Sequence, residues 1–408
     1  MQTNLATWIK DTPQGIEADA ILRKCVHCGF CLATCPTYGL LGDELDSPRG
    51  RIYLMKQMLE GAPVTERTQL HLDRCLTCRA CETTCPSGVE YGRLVDIGRE
   101  MVEREVPRPL ASRAFRALLR RVVTNTALFG LFLDAGRLVR PFLPAFLARK
   151  VPQWRSAGEW PSPRHARHMI VLDGCVQPAI APSINAATAR ILDRIGIAVT
   201  WAPQVACCGA VEQHLNEHAL ALARVRSNID AWWPLVEAGA EAIVITASGC
   251  GTMVAEYCHL LRDDPLYAAK AARISALAKD VSEVMTAERG AISQWLAKRP
   301  ARKVAFHSPC SLQHGLRIKG VVESLLREAG FTLTAVPDGH LCCGSAGTYS
   351  ILQPKLSNAL RTNKVAALET GRPDLIATAN VGCLAQIAGG TGTPVRHWIE
   401  LLEESLRA

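Results

Sequence analysis

From residue 166 to the end of the chain, short apolar runs that read as strands alternate with longer stretches whose apolar positions recur at helical spacing. The order of elements occurs twice. His168-Met-Ile-Val-Leu-Asp-Gly-Cys175 opens the first copy, and Arg302-Lys-Val-Ala-Phe-His-Ser-Pro-Cys310 opens the second. Each leads into a helical stretch, near 183–195 and near 320–329, closed by Gly196 or Gly330. A second strand follows, Ile197–Trp201 or Phe331–Val336, and then Cys207-Cys208-Gly209 or Cys342-Cys343-Gly344. A long helical segment leads to a third strand, Ala242–Ala247 or Leu375–Ala379, which runs into Ser248-Gly249-Cys250 or Val381-Gly382-Cys383. In both copies 31 residues separate the first cysteine from the cysteine pair, and a match over so long a period marks a duplication. Strands alternating with helices predict two α/β units with parallel sheets, 166–300 and 301–408.

Upstream lies a connector, 106–165, that is both apolar and basic. Phe115, Leu118 and Leu119 alternate with Arg113, Arg116, Arg120 and Arg121 at helical spacing, followed by Leu128–Leu133, Arg137, Arg140 and Phe142–Phe146. From Arg113 to Lys150 there are eight basic residues and one acid, Asp134, so this stretch carries nearly all of the chain's net charge of +8. It also holds five of the eight phenylalanines. An apolar face flanked by arginines suits anionic lipid or a partner subunit. Phosphate recognition would need a polar basic surface, so nucleic acid is not an expected partner. No uncharged apolar stretch of about 18 residues occurs, and no transmembrane helix is expected.

The remaining segment, 1–105, changes the picture through its cysteines. The chain has 408 residues and 17 cysteines, in short-spaced groups. Met1 to Thr12 carries Lys10 and Asp11 and has no apolar run, so a secretory leader is not expected, and the cysteines read as metal ligands rather than disulfides. Cys25, Cys28, Cys31 and Cys35 recur as Cys75, Cys78, Cys81 and Cys85, offset by 50 residues at every position. Each set has the form Cys-x-x-Cys-x-x-Cys-x-x-x-Cys-Pro. The tight loop wraps a [4Fe–4S] cube with three sulfurs, and the fourth cysteine points away to the other cluster. The expected ligand sets are Cys25, Cys28, Cys31 and Cys85 for one cluster, and Cys75, Cys78, Cys81 and Cys35 for the other. Pro36 and Pro86 suit the first position of a helix. Zinc sites usually draw on two well-separated cysteine pairs, which these are not. His27 and His71 read as surface or packing residues, since eight thiolates already fill eight positions. Arg49 and Arg51, in Gly42–Arg51, sit on a loop and helix expected to cover the array, with tuning of a cluster by charge as the second reading.

The duplicated units offer four cysteines each: Cys175, Cys207, Cys208 and Cys250, then Cys310, Cys342, Cys343 and Cys383. Cysteines at strand ends and beside Gly209 or Gly344 converge at the carboxyl edge of a parallel sheet, where such folds place ligands. A further cluster, a zinc ion or unmetallated thiols all fit this pattern. His307 and His314 flank Cys310 and read as core histidines, with proton handling near a quinone as the alternative. Cys258, outside the repeat, reads as a buried core thiol.

Two Cys-Cys-Gly units after two such motifs resemble the cysteine-rich-domain family, which includes heterodisulfide reductase subunits, one of the subunits of anaerobic glycerol-3-phosphate dehydrogenase, and lactate-utilisation proteins. That family ends each unit in Cys-x-x-Cys. Here Ala247 and Asn380 stand at the first of those positions. Within this group the chain resembles the glycolate oxidase (glycolate dehydrogenase) iron–sulfur subunits. The resemblance rests on Cys25–Tyr38, Gly42–Leu59, Arg74–Gly88, Thr246–Gly251 and Leu341–Gly347 and covers essentially the whole chain. It implies a helical ferredoxin-type domain with two [4Fe–4S] clusters followed by two cysteine-rich α/β units. It also implies electron transfer from the flavin of a partner subunit that oxidises glycolate to glyoxylate, with a second flavoprotein-like subunit. The acceptor implied is a membrane one, quinone, with the complex peripheral on the cytoplasmic face of the inner membrane. No Gly-x-Gly-x-x-Gly follows a strand here, so the flavin is expected in the other chain. An equivalent subunit for lactate or glycerol 3-phosphate, or a non-catalytic redox or anchoring module, is the alternative.

Overall fold

A computed structural model describes residues 1–144, 148, 151–162, 164–297 and 302–406. Phe146 and Lys150 of the basic connector lie outside the described residues. The chain falls into two compact units. One comprises Met1–Ala117 with His340–Lys364, and the other Leu118–Gly339 with Val365–Ala408. The segment carrying Cys342 and Cys343 thus packs in the first unit, although in chain order it belongs to the second repeat.

The first unit is helical. Its frame is built from helices Pro13–Lys24, Pro48–Leu59, Glu66–Asp73 and Tyr91–Glu105. Thr12 and Ser47 cap the first two, each accepting from a backbone N–H three residues on, with proline at the first helical position. Leu22, Met55, Leu59, Leu72 and Leu94 are fully enclosed between these helices. Gly98 lets the Pro48–Leu59 and Tyr91–Glu105 helices cross closely: a Cβ there would stand 2.4 Å from the Met55 sulfur.

The second unit confirms the duplication. Strands β1 (Arg167–Val171), β2 (Ile197–Thr200), β3 (Ile243–Ile245) and β4 (Ala278–Asp280) form one parallel sheet, in the order β2-β1-β3-β4. Strands β5 (Lys303–His307), β6 (Thr332–Leu333), β7 (Leu375–Thr378) and β8 (Val395–His397) repeat it as β6-β5-β7-β8. The three strands expected in each copy occupy the central and one flanking position. The fourth, β4 or β8, is only three residues long and has no apolar run to announce it. The two copies touch just beyond the ends of β3, β5 and β7: the Ser248 and Ser311 hydroxyls are 2.7 Å apart, and Ser248 N–H donates to the Ala379 carbonyl at 3.3 Å.

The connector forms helices Leu110–Val123 and Thr126–Val139, at the places its periodicity predicts. No single helix among the described residues is long and apolar enough to cross a membrane, although Leu110–Val123 with Thr126–Phe142 together has the length and composition while bent by 97°.

Candidate iron–sulfur sites

The two N-terminal cysteine loops are duplicated in backbone as well as sequence. His27 and Gly29 in the first loop, and Thr77 and Arg79 in the second, all have φ between 53° and 85°. Left-handed residues alternating with residues of negative φ turn successive N–H groups inward, as in an anion nest. The Thr77 N–H accordingly donates to Cys75 Sγ at 3.4 Å. Arg79 holds this conformation without glycine's freedom, a strained position that only a constrained loop keeps.

None of the 17 cysteines, all among the described residues, is in a disulfide. Burial raises the Cys25 thiol, and Cys85, from the other loop, adds to the shift. Burial likewise raises Cys81 well above the usual range, with Cys78, Cys75 and, from the first loop, Cys35 contributing. Each fourth cysteine therefore stands in electrostatic reach of the opposite loop. Cys25, Cys28, Cys31, Cys81 and Cys85 line one cavity, mouthed by Phe30, Val26 and Arg49. Crowded thiols kept protonated chiefly by burial, with neighbouring sulfurs adding to the effect, are what a cationic iron–sulfur core relieves, and the nests supply N–H donors to it, so the residues fit such a group.

Cys35 caps the helix Pro36–Leu41, as the proline predicts. Pro86 does not start a helix. Cys85 ends the short helix Ala80–Thr84, a turn closes from Gly88 N–H to the Cys85 carbonyl at 3.3 Å, and the next helix begins at Tyr91. Gly88, at φ +64°, takes the chain out of helical geometry.

The Gly42–Arg51 segment goes inward. Asp46 and Arg51 are 0% and 1% exposed, with Arg51 Nη2 3.2 Å from Asp46 Oδ1. Arg74 Nη1 reaches the other carboxylate oxygen at 2.8 Å, and His71, also buried, sits 3.1 Å from Oδ1. Arg51 donates to the Thr37 hydroxyl at 3.1 Å, and that hydroxyl lies 3.3 Å from Cys35 Sγ. Burial opposes the Arg51 charge, but Tyr91, Cys75, Cys35 and Asp46 together hold its pKa raised. Arg49 instead lines the cavity and pairs with Glu44 at 2.8 Å. His27 lines the same cavity. Sequence reasoning missed Thr37, Asp46, Tyr91, whose hydroxyl donates to Cys75 Sγ, and Arg99, which donates to the Cys75 carbonyl. The one available signal was the density of charged residues between Asp43 and Arg51.

In the second unit Cys175, Cys207, Cys208 and Cys250 come together. Cys175 and Cys208 lie within hydrogen-bonding reach of Cys207, and Cys250 within reach of Cys208. Hydrogen bonds from Cys175 and Cys208, helped by Gly209 N–H and Arg224, hold the Cys207 thiol well below the usual thiol range. Glu212, buried and paired with Arg224 at 2.8 Å, sits 3.9 Å from Cys207 Sγ and is raised by burial and by that sulfur. Tyr257 donates to the Cys208 carbonyl at 2.7 Å, and Asn228 to that of Cys207 at 2.8 Å, which fixes the pair. Four converging sulfurs with a stable thiolate suit a metal or cluster.

The second set is divided between the units, with Cys342 and Cys343 in the first and Cys310 and Cys383 in the second. The Cys-Cys-Gly turn itself is repeated: Gly209 and Gly344, at φ +93° and +84°, each aim N–H at the sulfur two residues back, at 3.5 and 3.4 Å. A Cβ on Gly344 would meet the Ser357 carbonyl at 2.6 Å. Cys250 and Cys383 lie in the first turn of helices Ser248–Ala255 and Val381–Ala388 rather than at strand ends. Asn380, where the wider family has cysteine, caps the second of these by accepting from Gly382 N–H at 3.3 Å. His307 and His314 are buried, and a His307 ring nitrogen is within 4.8 Å of Cys383 Sγ. Cys258 is half-buried, its thiol donating to the Ala255 carbonyl at 3.5 Å in the preceding helical turn.

Comparison with known proteins agrees with this layout. Residues 21–89 match the 4Fe-4S dicluster domain family, which indicates two [4Fe–4S] clusters, and 169–255 and 304–388 each match the cysteine-rich domain family. The chain is 55% identical to the glycolate oxidase iron-sulfur subunit of Escherichia coli (strain K12), over 100% of this chain and 99% of that one. It is 32% identical to the probable glycolate oxidase iron-sulfur subunit of Bacillus subtilis (strain 168), over 90% and 89% of the two chains. Lactate utilization protein A of Bacillus velezensis is 30% identical over 53% of this chain and 88% of its own. Paired cysteine nests, a duplicated Cys-Cys-Gly unit and similarity along the full length place the chain in one family, that of the glycolate oxidase iron–sulfur subunits.

Proposed function

We propose that this chain is the electron-transferring subunit of a complex that oxidises glycolate to glyoxylate, the flavin chemistry residing in a partner subunit accompanied by a second flavoprotein-like subunit. The observation that carries this reading is the pair of matching cysteine nests, each with a cysteine of the other loop in electrostatic reach. Cys25, Cys28, Cys31 and Cys85 hold one cluster, and Cys75, Cys78, Cys81 and Cys35 the other. Bound there, the clusters supply one-electron storage, which divides the two-electron oxidation of a 2-hydroxy acid into single steps. The protein's part is to hold the two thiolate sets against each other, to direct N–H groups at the sulfurs and to shield the interior set from water.

The flavin-bearing partner docks against the first unit, where Phe30 and Val26 are exposed at the cavity mouth. The acceptor is membrane quinone, and contact with the inner face of the inner membrane is made by the helices Leu110–Val123 and Thr126–Val139. Neither contains a buried residue. Leu131, Leu138 and Phe142 are 66%, 77% and 87% exposed, and Arg113 and Arg121 are exposed on the preceding helix. Arg116 faces Asp73 of the first unit, 3.7 Å away. An apolar face beside solvent-facing arginines is suited to an anionic bilayer surface. Cys175, Cys207, Cys208 and Cys250 form an additional metal or cluster site.

Substrate choice lies in the partner. The test is anaerobic co-purification followed by addition of glycolate, lactate or glycerol 3-phosphate. Glycolate-dependent reduction of the clusters in an iron-loaded complex is expected, and reduction by lactate or glycerol 3-phosphate alone rejects the assignment of substrate.

A further inference from the structure

The two thiolate sets sit in different electrostatic surroundings. Beside Cys75 two guanidinium groups are buried. Arg51 is 1% exposed, and its carboxylate partner Asp46 is shared with Arg74. Arg99 is 8% exposed, and neutral acceptors take its hydrogen bonds: Nη2 donates to the Cys75 carbonyl at 2.6 Å and the Leu72 carbonyl at 2.9 Å, Nε to the Leu72 carbonyl at 3.2 Å, and Nη1 to the Thr77 hydroxyl at 2.9 Å. The hydroxyl of Tyr91, itself buried, donates to Cys75 Sγ at 3.7 Å.

At the other set the positive groups are closer to water. Arg49 is 32% exposed and neutralised by Glu44. The Cys25 carbonyl, counterpart of the Cys75 carbonyl, accepts from the half-buried amino group of Met1 at 2.8 Å. In this set Cys25 is buried, Cys31 and Cys85 are half-buried and Cys28 is exposed, whereas in the other Cys35, Cys75 and Cys81 are buried and Cys78 is half-buried.

We propose that Arg51, Arg99 and the Tyr91 hydroxyl hold the cluster of Cys35, Cys75, Cys78 and Cys81 at the higher reduction potential of the two, so that an electron received by this module comes to rest there. The inference rests on the ligand sets proposed above. Net charge, hydrogen bonds to sulfur and solvent exposure set such potentials. Reduction adds one negative charge and makes or breaks no bond, so the electron one cluster loses is the one the other gains. Burial alone disfavours the more negative, reduced state and would give the interior cluster the lower potential. Two buried cations and a hydroxyl donor act in the opposite direction. Close to the sulfurs, in a low-dielectric interior, the field of a cation is strong, whereas the half-buried Arg49 is screened by water and by Glu44.

The test is a potentiometric titration followed by EPR on the anaerobically purified full-length chain with its partners. Cys85→Ser first identifies the signal of the exposed cluster, and the account requires the lost signal to be the lower-potential one. Tyr91→Phe removes one hydroxyl with little change of shape. It is expected to leave about eight irons per chain and to move only the higher-potential signal downward. Arg99→Met is expected to move the same signal further, and Arg99→Lys, which keeps the charge, to restore most of the difference. Should Arg99→Met lose iron, Tyr91→Phe decides alone. A Tyr91→Phe titration identical to the parent, or one in which both signals move together, overturns the proposal. So does a Cys85→Ser protein that loses the higher-potential signal. An iron count near four in the parent protein would instead reject the ligand sets.

Discussion

Arg51 and Asp46 form a fully enclosed ion pair, 3.2 Å apart, in which the carboxylate also serves Arg74 and the guanidinium bonds the Thr37 hydroxyl beside Cys35. Burying both charges is costly, and the pair is stable only because each has further partners. Removing the carboxylate leaves two arginines without their anion, one of them sealed from water. Asp46→Ala should therefore destabilise the first unit by about 3–5 kcal/mol. Chemical denaturation followed by loss of the cluster absorbance measures this. A cost below about 1 kcal/mol would show that the pair contributes no more than a surface bridge.

Crossed ligation makes a prediction that a loop-by-loop arrangement does not. Cys85 follows the second loop in sequence but acts on Cys25 in the first. Cys85→Ser should damage the cluster bound by Cys25, Cys28 and Cys31 and spare that of its own loop. The EPR signal that survives should then be abolished by Cys78→Ser and not by Cys28→Ser. The reverse pattern would show that each loop holds its own cluster.

The bent helix pair should determine association with lipid. Glutamate at Leu131 and Leu138, both exposed, changes no buried contact. The double variant is expected to keep its iron and lose most of its sedimentation with phosphatidylglycerol vesicles. Parent binding should weaken as salt rises, since screening removes the arginine contribution. Equal binding of both proteins to the vesicles would assign the face to another protein.

His397 gives the second unit a defined acid sensitivity. It is fully buried, its Nδ1 accepts from Ile399 N–H at 3.3 Å, and burial, outweighing Glu400 and the Thr246 and Ala379 backbones, lowers its pKa to about 4. A folded-state pKa below the unfolded one means that the unfolded chain binds the proton first. Stability from this group is therefore present above about pH 6.5 and lost as pH falls toward 4, roughly 3 kcal/mol in all. Asp280 works in the other direction: burial raises it to about 6, which favours the folded state as pH falls through that range. His397→Asn keeps a helix cap and removes the titration. Its thermal midpoint should fall less than the parent's between pH 7 and pH 5, and parallel curves would show that His397 does not titrate as described.

Much of this architecture was legible in the residues, and the reason is periodicity. Cysteines offset by 50 residues and a spacing of 31 held twice leave little freedom in where loops and strands fall. Other features are set by contacts distant in sequence. Nothing local marks Asp46 as buried, because its burial depends on Arg51 and Arg74 meeting it. Pro86 carries the same helix-start signal as Pro36, yet Gly88 closes a turn first. Strands β4 and β8 are too short to show an alternation. Ala247 and Asn380 read in sequence as lost ligands. The structure shows what Asn380 does in place of a cysteine, which is to cap a helix.

The central claim is that this chain carries two four-iron clusters as an electron relay, and the most direct measurement is iron and acid-labile sulfide on anaerobically purified protein, with EPR after reduction. The account predicts about eight irons and eight sulfides per chain and two reduced signals broadened by their mutual interaction, rising to about twelve irons if the Cys175, Cys207, Cys208 and Cys250 site is loaded as well. Zinc without sulfide, or a single isolated signal from about four irons, would contradict it.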